Sequence, residues 1–188
     1  MRSFDPRAVG RHECRAWVTY YLRNWFAFLA TSLRLVRAAF GMNWPRTLLG
    51  AWLVLRANQV WAPYPDNDPE AARRLMTRFY RLLLASESEV FDPARAAELE
   101  VEWWRAHREN QHDSAGSAQL VAALRDLYAY VYSVEPAEVQ LAAELRAEAM
   151  DVSDRWVEAG CDPEDPAIGH ERALLIRSYA ALLAAVHR

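Results

Sequence analysis

The sequence predicts an all-α fold, a single domain of about seven helices with a long apolar N-terminal helix. Three observations carry that expectation. Apolar residues recur at spacings of three and four along most of the chain, with no strand-like alternation. Acidic residues stand directly before proline at Asp68-Pro69, Asp92-Pro93, Glu135-Pro136, Asp162-Pro163 and Asp165-Pro166. An aspartate accepts hydrogen bonds from the first free amides of a helix, and a proline after it has no amide to leave unpaired. Finally, there are only six glycines, and alanine, leucine, arginine and glutamate, all good helix formers, dominate.

The elements follow in order. Residues 1–12 read as a loosely ordered N-terminal arm of the single domain 1–188. The first helix is expected from Glu13 to Phe40, stopped by Gly41, a residue suited to a left-handed C-terminal turn. It carries two apolar stripes. Leu22, Phe26, Leu29, Leu33, Val36 and Phe40 form one; Val18, Tyr21, Trp25, Phe28 and Leu35 form the other. Its polar side is narrow, with Arg23, Arg34 and Arg37. So wide an apolar circumference suits a central helix or one shared with a partner. The second helix is expected over Pro45–Val60, followed by a stiff loop, Trp61–Asn67. The third spans Pro69–Ser86 and the fourth Pro93–Asn110. Asp113–Ser117 reads as the most flexible stretch, with Ser117 capping a fifth helix that runs to Tyr132. The sixth covers Pro136–Ala159 and the seventh starts at Pro166. Leu120, Leu124, Leu127 and Val131, then Leu141, Leu145, Ala149, Val152 and Trp156, then Leu175, Tyr179, Leu182 and Val186 give the last three helices ordinary amphipathic stripes.

The composition, 53% hydrophobic and 25% charged over 188 residues, is that of a globular chain long enough to bury its own core. All 22 basic residues are arginine, as expected of a GC-rich bacterial genome. Residues 1–60 carry a net +7 and the remainder a net −10. Such asymmetry suits either two halves that pack on each other or a segment that faces a partner or a membrane. Cys14 and Cys161 form no metal or redox spacing, so free thiols in a cytoplasmic setting are expected. Met1–Trp17 contains Asp5 and Glu13 and has no apolar core of a signal peptide. The uncharged stretches Asn24–Leu33 and Thr47–Leu55 are about half the length of a membrane span.

No phosphate loop, dinucleotide fingerprint, zinc spacing or nucleophile elbow occurs, and the paired Glu-x-x-His of di-iron bundles is missing. Asp151 and Asp154 only echo an aspartate-rich magnesium motif. No cofactor and no metal are expected, and an acidic chain without a basic docking helix is not expected to bind nucleic acid. The candidate for catalysis is His107, in the stretch Glu102–Asp113, because histidine shuttles protons near neutral pH. His112, five residues on, lies on a different helix face. Glu144, Glu148 and Asp151 share a face that suits either a hard cation or, with Arg146 and Arg155, solvent. Trp44, Trp52, Trp61 and Tyr64, with Arg46 and Arg56 as polar anchors, are the candidate lining of a pocket for a large apolar or planar ligand. Trp25, Phe26, Leu29, Leu33, Val36 and Phe40 are the candidate interface.

These residues favour a non-catalytic interaction or accessory protein that buries apolar surface against a second copy or another protein. The alternative is a helical-bundle enzyme or ligand binder that uses the tryptophan-rich pocket and His107. A further alternative is peripheral membrane association through residues 15–60, without a span.

Overall fold

The computed structural model describes residues 2–86, 89–112 and 117–187. These form α1 (Pro6–Tyr21), α2 (Trp25–Phe40), α3 (Trp44–Trp61), α4 (Pro69–Leu84), α5 (Pro93–His112), α6 (Ala118–Tyr132), α7 (Pro136–Glu158) and α8 (Pro166–Val186). The fold is an all-α, single-domain bundle.

Acid-proline pairs start most of the later helices. Asp68 accepts from the Ala71 amide at 2.8 Å, Asp92 from Ala94 at 2.9 Å and Asp165 from Ala167 at 2.8 Å. Glu135 and Glu138 form a reciprocal capping box. Asp162-Pro163 instead lies in the turn before α8, where the Asp162 carbonyl accepts the Trp156 indole N–H at 2.7 Å. Ser117 makes no side-chain cap to α6. The rest of the stretch read as flexible, Asp113–Gly116, lies outside the described residues.

The expected first helix is two helices, which raises the count among the described residues from seven to eight. Helix α1 already starts at Pro6, capped by Asp5, a sixth acid-proline pair. It ends at a turn in which Arg23 has φ 53°, and Asn24 then caps α2 by accepting from the Ala27 amide at 3.1 Å. Apolar residues continue at helical spacing through this turn, so periodicity alone bridges it.

No helix occupies the centre. Each packs chiefly on the helices before and after it in sequence, and α8 packs back on α1 to close a ring. Gly10 makes that closure possible: a Cβ there would lie 2.8 Å from the Ile176 backbone nitrogen. The wide apolar circumference of α2 has its explanation in this ring. Phe28, Ser32 and Val36 are buried and turn inward. Phe26, on another side, is 91% exposed.

Cys14 is buried, Cys161 half-buried, and both are free. Among the described residues no helix is long and apolar enough to cross a membrane.

Candidate functional site

The ring surrounds a central cavity of about 220 Å³ to which all eight helices contribute. Most of its wall is apolar or aromatic, including Trp17 and Phe28, Phe40 and Phe79, Trp103 and Trp104. Into this wall the fold sets three charged groups, Glu13 from α1, Glu100 from α5 and Arg146 from α7, beside the hydroxyls of Tyr80, Tyr128 and Tyr179.

Local periodicity explains why each side chain points inward. On α1, Val9, Glu13, Ala16 and Trp17 recur at helical spacing and all line the cavity. On α7, Arg146 stands in the buried stripe Val139, Ala143, Arg146 and Met150. Arg146 donates through Nη2 to Glu13 Oε1, and through Nη1 to the Tyr128 hydroxyl at 2.9 Å. Its guanidinium lies 4.8 Å from the Trp103 ring centroid and 5.8 Å from that of Tyr128. Burial works against its charge, but the Glu13 carboxylate, the Tyr128 and Tyr179 hydroxyls and Glu100 together prevail and hold the guanidinium well above its ordinary value. Glu100 accepts from the Tyr80 hydroxyl at 2.8 Å and from Trp104 Nε1 at 3.2 Å. Burial nevertheless pushes its carboxyl above the usual range, against the opposing pull of Arg146 and these donors. Burial also raises the Tyr80, Tyr128 and Tyr179 hydroxyls, so they are donors at neutral pH.

Among the described residues, four buried polar atoms of this wall make no close hydrogen bond: Glu13 Oε2, Arg146 Nε, Ser32 Oγ and Trp103 Nε1, with Tyr179 near Glu13 and Glu100 near Trp103. Two of them belong to charged groups, where an unmade hydrogen bond costs most.

A second pocket of about 460 Å³ shares Trp17, Phe28, Asn58, Trp103 and Trp104 with the central cavity. Its own part of the wall is polar. His107 Nε2 lies 3.1 Å from Asp154 Oδ2, and Asp154 Oδ1 also accepts from Tyr21 Oη at 3.3 Å and from Gln111 Nε2. Burial, then the Asp154 charge, raises the Tyr21 hydroxyl. Arg108 spans the far side, 5.2 Å from the Trp61 ring centroid and 5.3 Å from that of Tyr64. A carboxylate that receives an imidazole N–H orients the ring and leaves its other nitrogen to accept a proton.

The residues singled out from sequence are dispersed. His107, Trp61 and Tyr64 share this second pocket. Trp44 and Trp52 are exposed on α3. Arg46 donates to the Ser86 hydroxyl at 3.0 Å, and Arg56 donates to Gln59 Oε1 at 2.7 Å. Of the candidate interface residues, Phe26 is exposed, Trp25, Leu29, Leu33 and Phe40 are half-buried, and Val36 is buried. The His112 side chain lies outside the described residues. Glu144 and Glu148 are exposed and Asp151 is half-buried. Arg146, expected beside them as a surface partner, instead points into the cavity. Among the described residues no cluster of three His, Cys, Asp or Glu side chains is placed to hold a metal ion.

Sequence reasoning did not single out Glu13, Glu100 or the inward role of Arg146. A signal existed for Arg146, because it interrupts an apolar stripe of α7 at three-four spacing. Glu13, 133 positions away, gives no hint of its partner. No protein-family model, no curated protein and no solved structure matches this chain.

Proposed function

We propose that this protein binds a small, neutral, planar organic molecule inside its helix ring. One observation carries the reading. The cavity wall holds a buried acceptor, Glu13 Oε2, and a buried donor, Arg146 Nε, on one ion pair; neither makes a close hydrogen bond, although the Tyr179 hydroxyl stands beside Glu13. Buried polar atoms are nearly always satisfied, and an exception in a concave, apolar wall calls for a group from outside the chain, a water or a ligand.

The ligand's chemistry follows from the wall. A donor and an acceptor on one edge, as in a lactam or a primary amide, would satisfy both atoms together. Aromatic side chains such as Trp17, Phe28 and Trp103 favour a flat ring that stacks or meets them edge-on. Arg146 is already neutralised by Glu13, and burial disfavours the charged form of Glu100, whose oxygens already accept from Tyr80 and Trp104, so a full charge on the ligand would enter without a free counterion. A cavity of about 150 Å³ holds benzene, so about 220 Å³ takes roughly a bicyclic ring. The pocket of His107, Arg108 and Tyr64, with its shared wall, serves as the entrance. This reading departs from the alternative read from the sequence, a large apolar or planar ligand in a pocket of Trp44, Trp52, Trp61 and His107, in both the size of the ligand and the place of its site.

Thermal shift and tryptophan fluorescence with 2-quinolinone and benzamide test it. Naphthalene serves as the apolar control and benzoate as the anionic one. The neutral donor–acceptor compounds should raise the melting temperature and perturb the indole emission, and Arg146→Met should remove both effects. Equal responses to naphthalene and 2-quinolinone would refute the polar half of the reading. No response to any compound would refute it entirely.

A further inference from the structure

The outer face of the α2–α3 hairpin is the strongest feature that the cavity leaves unexplained. On α3, Trp44, Leu48, Trp52 and Arg56 recur every four residues and are exposed; Trp44 is 60% and Trp52 51% accessible. Phe26, Ala30, Arg34 and Arg37 form the matching exposed row of α2. The two rows are neighbours, because the Arg37 guanidinium lies 4.5 Å from the Trp44 ring centroid. Arg23, in the turn before α2, donates to the Ala62 carbonyl just beyond α3 at 3.2 Å.

The charge of this face has one sign. From residue 14 to residue 65 the chain has six arginines and no aspartate or glutamate. Among the described residues, no ion pair involves Arg23, Arg34, Arg37 or Arg56. The positive field extends onto α1. Burial, then Arg34, Arg11 and Arg15, hold the His12 imidazole below its ordinary value.

We infer that this face docks the protein onto an anionic lipid surface, with Phe26, Trp44, Leu48 and Trp52 entering the headgroup region and Arg34, Arg37 and Arg56 against the phosphates. Tryptophan suits the boundary between headgroup and acyl chain, having an apolar body and one N–H donor. A surface on which exposed aromatics and arginines stand side by side binds anionic bilayers through both area and charge. A second copy is disfavoured by the same charges. A two-fold dimer sets each patch on its own image and brings unpaired arginines together. The inference is independent of the cavity ligand, since no residue of these outer rows lines the cavity.

The full chain is tested by co-sedimentation with vesicles of phosphatidylcholine alone and with vesicles enriched in phosphatidylglycerol. Binding is expected only to the anionic vesicles, with release at high salt. Arg34→Gln and Arg56→Gln should each weaken it roughly fivefold, and Phe26→Glu or Trp52→Glu should abolish it with unchanged circular dichroism. Lipids with brominated acyl chains should quench the bound wild-type fluorescence, and Trp52→Phe should remove part of that quenching. Failure to bind anionic vesicles, or binding that the arginine variants leave unchanged, would overturn the inference. So would absent bromine quenching, or a dimer that Phe26→Glu splits while no vesicle binds.

Discussion

Glu171 offers a test of the interior that needs no ligand. It sits near the start of α8, fully buried, and neither carboxyl oxygen makes a hydrogen bond. No donor lies at close hydrogen-bonding geometry; the Cys14 thiol on α1 and the Ser153 hydroxyl on α7 approach it and partly offset its burial, while the charges of Glu13 and Asp154 add to the penalty. Burial is the largest effect and lifts the carboxyl from 4.5 to about 8. In the unfolded chain the group gives up its proton near 4.5; in the folded chain it keeps it to about 8. Between those values the folded state therefore holds one more proton, and stability falls as pH rises. Each pH unit costs about 1.4 kcal/mol, so the full window amounts to roughly 5 kcal/mol as an upper bound, and relaxation around the buried group reduces it. Glu171→Gln removes the titration but keeps the shape. Burying an amide without partners adds a cost of about 1–3 kcal/mol, but that cost is the same at every pH. The informative quantity is thus the stability difference between variant and wild type, measured by urea unfolding at several values from pH 5 to pH 8. It should move in the variant's favour as pH rises, by about 1 kcal/mol per unit. A difference that stays flat across the window would show Glu171 titrating normally and refute its dry burial.

Three further outcomes are expected. Gly10→Ala should destabilise by about 1–3 kcal/mol in thermal or urea unfolding, because its Cβ would meet the Ile176 backbone at 2.8 Å, which cannot move aside as a side chain tip does; a neutral substitution would contradict the close α1–α8 closure. Arg146→Met alone should cost about 3–5 kcal/mol by leaving the Glu13 charge buried and unpaired, while Arg146→Met with Glu13→Leu should cost well under the sum of the single changes; strict additivity in the double-mutant cycle would refute the pairing. Asp68→Ala should lose about 0.5–2 kcal/mol with its cap, whereas Ser117→Ala should stay within about 0.5 kcal/mol because Ser117 caps nothing; equal losses would contradict the assignment.

What the sequence determined by itself is local. Helix type follows from a 3.6-residue pattern, and starts follow from Asp68, Asp92, Glu135 and Asp165 before proline. Both are written within one or two turns of chain, so both are legible without tertiary information. Asp5-Pro6 obeys the same rule and marks the true start of α1. Asn24, a good cap in an otherwise apolar run, is the local trace of the break that the periodicity concealed.

Closure of the ring was decided only in three dimensions. Gly10 reads as a mild helix weakener until Ile176, from the other end of the chain, lies against it. The cavity follows from that closure, because eight helices that pack on sequence neighbours alone leave their inner faces around a common space. The same step decides the chemistry. Glu13 and Arg146 are each an ordinary helix charge in sequence, and only the return of α7 and α8 to α1 removes both from water and makes them partners. The tryptophans divide on the same ground. Trp103 and Trp104, on the charge-rich α5, line the interior while Trp44 and Trp52, on the more apolar α3, face outward, so the apolar content of a helix does not say which way its tryptophans turn. A helix pattern states how wide the apolar surface is; which part of it meets a neighbour, a cavity or a lipid depends on where the other helices stand.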